Sequence, residues 1–364
     1  MARQYKLARK MKKIALLLGL VSIFSASLFA FAACGEEKGP DNGGKHEHVY
    51  VDGKCECGRY EVDFLTSLPM SQSLQAACDQ QGTVERMTYE TRSYALESLA
   101  ENEGKELPME KELLVYLPYG YDESKQYDVV YLMHGTGDNQ EYWLEKMGTT
   151  TRNVLDNMIK DGKCEPTIFV CPTYYSVPEG YPGYDLSTND WMNSDPNADL
   201  WPMHFWQELR GDIIPAVEAE YSTYAGGDVS EANLIATRDH RAFAGLSRGS
   251  MTTVNSGMMH CADLFAYIGS YSGIWADFDD FKTALEGEFA EYEFKYWYNG
   301  SGTADTVGGA IDNQTEFIEN ALEQMPDKFQ DGKNLAFIVF AGGSHAYNCW
   351  IMDLYNSMLV FFKQ

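Results

Sequence analysis

Residues 239–256 read Asp239-His240-Arg241-Ala242-Phe243-Ala244-Gly245-Leu246-Ser247-Arg248-Gly249-Ser250-Met251-Thr252-Thr253-Val254-Asn255-Ser256, and they decide the fold. Ala242, Phe243 and Ala244 form an apolar run of the kind that makes a short buried strand. Gly245-Leu246-Ser247-Arg248-Gly249 follows, and then a helix-compatible stretch. Strand, Gly-x-Ser-x-Gly and helix in that order are the context of a nucleophile elbow. So sharp a turn accepts only glycine two residues to either side of the serine, because a Cβ there would clash. The turn pushes the Ser247 hydroxyl out at the carboxyl end of the strand. There the amides at the start of the next helix face developing negative charge. The five-residue pattern also arises by chance in ordinary glycine-serine turns, so the rest of the chain must supply a base, an orienting acid and an oxyanion hole.

Around this stretch the chain alternates strands with helices. Residues 83–94 alternate like a strand, and residues 112–117 give a second. Asp128–Met133 and Thr167–Cys171 are continuous apolar runs of the kind that fill central parallel strands. Further strands are expected at residues 264–270, 294–298 and 335–341. Helices are expected at 141–160, 203–221, 313–325 and 349–362, the second with Phe205, Leu209, Ile213 and Val217 four apart. This alternation predicts an α/β fold, a mostly parallel sheet flanked by helices, in one domain over residues 63–364. A loop from residue 172 to about 199 is too long for a plain connection.

The first 33 residues hold six of the 28 basic side chains and none of the 54 acidic ones, so the chain from Cys34 onward carries −32. So acidic a surface repels nucleic acid and anionic headgroups, and a neutral or apolar substrate fits it better. A basic stretch ending at Lys13, an apolar run to Ala33, and Phe31-Ala32-Ala33-Cys34-Gly35 read as an export signal resembling a bacterial lipobox. This implies lipidation of Cys34 and a cell-surface location, with ordinary cleavage or an uncleaved anchor as alternatives. Met11 looks like a natural start. Residues 34–62 read as a flexible tether. Within it, His46, His48, Cys55 and Cys57 are a candidate zinc set, although their spacing is cramped. Seven cysteines follow Cys34 with no regular framework, and Cys164 and Cys171 are either a bridge or two buried thiols.

A serine hydroxyl needs a base. Of the two histidines beyond Ser247, His260 lies thirteen residues on, along the outgoing helix, where it cannot swing back. His345 sits just past the last apolar strand, at the sheet edge where a base belongs, and is the candidate. Asp305, at the tip of a glycine-bearing turn after the strand ending near Tyr298, is the candidate orienter, with Asp312 as runner-up. The oxyanion amides are expected from Arg248 and from Thr136, in the loop His134-Gly135-Thr136-Gly137. His134 is expected to prop that loop. Tyr174, Tyr175, Tyr181, Tyr184, Trp191, Trp201 and Trp206 are expected to form an aromatic lid that stacks on a phenolic acid or a pyranose, or else a small core internal to the loop.

With these residues in place, a resemblance emerges. Leu114-Val115-Tyr116-Leu117-Pro118-Tyr119-Gly120-Tyr121-Asp122, Tyr131-Leu132-Met133-His134-Gly135, His240-Arg241 before the elbow, and Gly343-Ser344-His345 are similar to carbohydrate esterase family 1. The likeness covers about residues 80–364 and is greatest to the feruloyl esterase domains attached to bacterial xylanases. It implies an α/β-hydrolase fold, metal-free ester hydrolysis, and Ser247, Asp305 and His345 as a triad. The expected substrate is a feruloyl ester on plant cell-wall polysaccharide such as xylan. The alternatives are an acetyl xylan esterase, an acyltransferase, or a non-catalytic glycan-binding lipoprotein. Arg248-Gly249-Ser250 stands where the family commonly has Met-Gly-Gly, Thr136 stands where glycine is frequent, and the loop from residue 174 to about 202 is longer.

Overall fold

The computed structural model describes Tyr50–Val51, Lys54–Cys55 and residues 70–363. The expected leader, Cys34, and His46, His48 and Cys57 lie outside the described residues. Within the tether, Tyr50–Val51 pairs antiparallel with Lys54–Cys55. Among the described residues, no helix is long and apolar enough to cross a membrane, and no cluster of three or more His, Cys, Asp or Glu could hold a metal.

Eight strands make one sheet: β1 (Thr83–Arg92), β2 (Pro108–Leu117), β3 (Asp128–Met133), β4 (Thr167–Cys171), β5 (Arg241–Leu246), β6 (Tyr267–Tyr271), β7 (Tyr296–Gly302) and β8 (Leu335–Phe340). Their spatial order is β8-β7-β6-β5-β3-β4-β2-β1. β1, β2 and β4 join antiparallel, and every other pairing is parallel. β4, β5 and β6 are buried along their whole length, as parallel strands covered on both faces must be. Period-two alternation splits β3 between two cores. Val129, Tyr131 and Met133 face one side, where Phe205, Leu209, Ile213 and Val217 pack. Val130 and Leu132 face the other, where Val154, Leu155, Met158, Ile351 and Leu354 pack.

The helices depart from the sequence pattern in instructive ways. The expected helix 141–160 is broken: Tyr142–Lys146 is a single π turn, Gly148 adopts φ 63°, and α1 runs only over Thr150–Lys160. The apolar residues spaced four apart lie on α2 (Leu200–Glu208), a π turn at Leu209–Ile213, and α3 (Ile214–Glu220). Strict four-residue spacing drifts around a 3.6-residue helix, and the wider π turn takes up the excess so that all four side chains stay on the sheet. α4 (Arg248–Thr252) leaves the elbow and also widens into a π turn. α5 (Phe278–Glu286) was not read from the sequence, yet its start signal is there: Asp277 caps the Asp280 amide and acids fill the first turn. α6 (Ala310–Gln324) and α7 (Tyr347–Val360) complete the layers. Cys164 and Cys171 are buried free thiols, so the bridge reading falls.

The root of β5 is held by a buried ion pair. Arg241 donates through Nε and Nη2 to Glu218 of α3, Nη2 at 3.0 Å, and both side chains are sealed from solvent. Glu218 also accepts from Thr223 Oγ1 at 2.9 Å. Removing one partner strands the other charge, so Glu218→Ala is expected to cost about 3–5 kcal/mol of unfolding free energy. A urea titration reads this as a lower midpoint at unchanged slope, and an unmoved midpoint would refute it.

Candidate active site

Five segments converge at the carboxyl edge of the sheet. At the end of β5, Ser247 adopts φ 53° and ψ −119°, a region that costs about 1–3 kcal/mol for a residue with a side chain. The flanking glycines are required by contact. A Cβ on Gly245 would lie 2.6 Å from the Gly249 backbone, and one on Gly249 would lie 2.4 Å from the His134 carbonyl oxygen. The Ser247 amide donates to Tyr271 O at 2.8 Å, which pins the elbow to β6.

Adjacent loops bring Asp305 and His345 together. The loops after β7 and β8 are laced by Thr303 N–H to Phe340 O at 2.9 Å and Ala304 N–H to Gly343 O at 2.8 Å. Their approach is so close that a Cβ on Gly302 would meet Gly343 O at 2.1 Å. The result is a continuous hydrogen-bonded chain. Ser247 Oγ lies 2.9 Å from His345 Nε2, and His345 Nδ1 donates to Asp305 Oδ1 at 2.8 Å. Asp305 is fully buried. The runner-up, Asp312, is exposed in the first turn of α6, and His260 stacks on Trp206 at 4.8 Å.

Two features around the triad went unread in the sequence. Trp350 stands edge-on to the His345 ring at 5.1 Å and anchors its indole N–H on Ser272 Oγ at 2.7 Å. Asp353 is a second buried carboxyl, donated to by Tyr298 at 2.9 Å. Burial, reinforced by the charge of Asp305, holds Asp353 well above the usual carboxylate range despite that bond. Neither residue carries a local motif that would betray it.

The loop expected to supply an oxyanion amide, residues 134–137, follows β3. Gly135 packs so tightly on the elbow that a Cβ there would meet Leu246 Cδ1 at 2.6 Å and Ser247 Cβ at 3.3 Å. The loop that carries Thr136 thus lies against the Ser247 turn. His134 is buried and tied on both nitrogens, to Gly135 O at 2.7 Å and Thr173 Oγ1 at 2.8 Å. Burial pushes its pKa down to about 3, so it stays neutral and has no free nitrogen with which to act as a base. The Arg248 guanidinium turns toward the loop after β4 and meets Asp199 at 3.3 Å.

That loop contains a short helix, Asp190–Ser194, and its aromatics part into three groups. Tyr174 and Trp201 are buried in the same core as Val129, Tyr131 and Met133 of β3, Trp201 donating to Asp195 Oδ2 at 2.6 Å. Tyr175 is buried too, but its hydroxyl accepts from the Gly137 amide at 3.3 Å. Tyr181, Tyr184 and Trp191 are half-buried and line a cavity of about 620 Å³ with Asn102, Lys105 and Asp195. Trp206 does not join them. It sits on α2, stacked on His260, beside a separate groove lined by Leu234 and Leu264. The expectation of one continuous lid is thus corrected: Trp206, with Arg210 of the following π turn, lines a different groove from Tyr181, Tyr184 and Trp191.

The strand order, the strained serine after β5 and the histidine after β8 define an α/β-hydrolase fold. Residues 104–361 match the family described as "Putative esterase", and the chain belongs to that Esterase family. Endo-1,4-beta-xylanase Y of Acetivibrio thermocellus is 37% identical over 163 residues, which are 45% of this chain and 13% of that protein. An endo-1,4-beta-xylanase/feruloyl esterase of Xylanibacter ruminicola is 31% identical over 166 residues, 44% of this chain and 19% of that protein. The chain thus spans only a small part of either relative. The feruloyl esterase module of Clostridium thermocellum, solved as a serine-to-alanine mutant with sinapinate, superposes with a TM-score of 0.63. It is 26% identical, covering 82% of this chain and 94% of that one.

Proposed function

We propose that this chain is a serine carboxylic ester hydrolase that releases hydroxycinnamoyl groups, feruloyl foremost, from plant cell-wall polysaccharide such as xylan. The observation that carries the reading is the unbroken Ser247–His345–Asp305 hydrogen-bonded chain, with both links under 3 Å, at the edge of an Esterase-family sheet. Ser247 Oγ attacks the ester carbonyl carbon as His345 Nε2 takes its proton. Asp305 holds the tautomer with Nδ1–H and stabilises the imidazolium. The amides of Arg248 and Thr136 receive the oxyanion. Collapse of the tetrahedral intermediate expels the sugar alcohol, which leaves with the proton from His345, and a feruloyl ester remains on Ser247. Water, deprotonated by His345, then frees the acid. The names of the relatives support the acyl group and the xylan context.

The test is to offer methyl ferulate and acetylated xylan to the same enzyme. Ferulate release at a kcat/KM at least about tenfold above acetate release is expected, since an aryl acyl group can use pocket contacts that a methyl cannot. Acetate release alone would keep the nucleophile and overturn the acyl specificity. Turnover of neither would overturn the hydrolase.

A further inference from the structure

The oxyanion loop is steered by a relay that the triad does not use. Lys111 on β2 and Glu208 at the end of α2 are a buried pair at 2.6 Å. Lys111 Nζ also donates to the Thr173 carbonyl at 2.7 Å, and Tyr89 donates to Glu208 Oε1 at 2.6 Å. Burial alone would lower the lysine and raise the glutamate, and their mutual attraction opposes both shifts. Thr173, whose backbone is fixed this way, then meets His134 Nε2 through its hydroxyl at 2.8 Å.

The polarity of the relay is determined at each step. Gly135 O can only accept, so His134 Nδ1 carries the hydrogen and donates to it. The neutral ring then leaves Nε2 as an acceptor, and the Thr173 hydroxyl must be its donor. The remaining lone-pair capacity of Thr173 Oγ1 takes the Tyr175 amide at 3.2 Å. In a trans peptide the C=O and N–H point in opposite directions, and among the described residues every peptide bond is trans. Turning Gly135 C=O toward the His134 ring therefore turns Thr136 N–H the other way. Because Gly135 lies against Leu246 and Ser247, that peptide sits beside the nucleophile.

We propose that Thr173 is a positioning residue. Its hydroxyl anchors the His134 ring through Nε2, which holds Nδ1–H on the Gly135 carbonyl, fixes the Gly135–Thr136 peptide and so aims the Thr136 amide at the oxyanion. This rests on the esterase reading above. Without the hydroxyl, His134 has no donor for Nε2. The ring, no longer anchored at Nε2, is free to turn off the Gly135 carbonyl, which lets the amide swing.

The experiment compares the parent with Thr173→Val, which removes the donor at nearly constant shape, and with Thr173→Ser, which restores it. Each is assayed on methyl ferulate and in second-order inactivation by a fluorophosphonate, whose phosphoryl oxygen occupies the same hole. Thr173→Val is expected to lower both kcat and the inactivation rate about 10- to 100-fold, with KM within about twofold, since the hole acts on the transition state. Thr173→Ser is expected to recover most of both, and thermal melts confirm that all three are folded. Unchanged kcat and inactivation in Thr173→Val would overturn the proposal, as would a loss confined to KM or a serine variant as impaired as the valine. If the parent ignores ferulate but Thr173→Val still slows phosphonylation, the positioning role stands and the ferulate reading falls. A parent that takes neither reagent sinks both.

Discussion

Ser247→Ala is expected to lower kcat for methyl ferulate by about 10⁶-fold with KM little changed, leaving the folded domain intact. The size of the loss follows from the arrangement. Ser247 is the hydroxyl that meets His345 Nε2, at 2.9 Å, and it is held there by a strained turn that two glycines make sterically possible. With the hydroxyl gone, what remains is a cavity with amides and a base but no covalent path. Such remnants keep roughly 10³–10⁴-fold over water in a serine protease. Alanine relieves none of the crowding at Gly245 and Gly249, so stability should stay close to the parent's. A variant that retains even a hundredth of parent activity would mean that another group attacks the ester.

Asp305→Asn is expected to lower kcat about 10⁴-fold. Asp305 is fully buried, and its Oδ1 accepts from His345 Nδ1 at 2.8 Å. An amide nitrogen placed there donates to Nδ1 instead, which forces the hydrogen onto Nε2 and presents Ser247 with a donor where it needs an acceptor. The neutral amide also fails to stabilise the imidazolium. The distinguishing readout is that fluorophosphonate labelling of Ser247 slows in step with ester hydrolysis, while the thermal midpoint moves little. Equal activity in parent and variant would point to a different acid.

What was legible in the sequence is what chemistry and chain order dictate. Ser247 at the elbow, His345 past the last strand and Asp305 on a glycine turn could be placed together because strand ends at one sheet edge must meet. Uniformly apolar runs such as Thr167–Cys171 gave the central strands for the same reason. The antiparallel joins of β1, β2 and β4 were not legible, because alternation in residues 83–94 reads alike for either direction. The π turns were missed because four-residue spacing looks like an ordinary helix until its drift is counted. The aromatic lid failed in detail because composition cannot tell a ring buried in the core, as Trp201 is, from one that faces a cavity, as Trp191 does. Thr173 and Trp350 act through contacts that cross the fold, and no local pattern marks either.

The most direct measurement is to trap the covalent intermediate. Enzyme mixed with excess methyl ferulate and quenched in acid within one turnover would be digested and its peptides weighed. A feruloyl group on the peptide bearing Ser247, absent from Ser247→Ala, is the expected result. Full turnover with no acylated peptide, or the label on another residue, would contradict Ser247 as the nucleophile and with it the esterase mechanism drawn from this site.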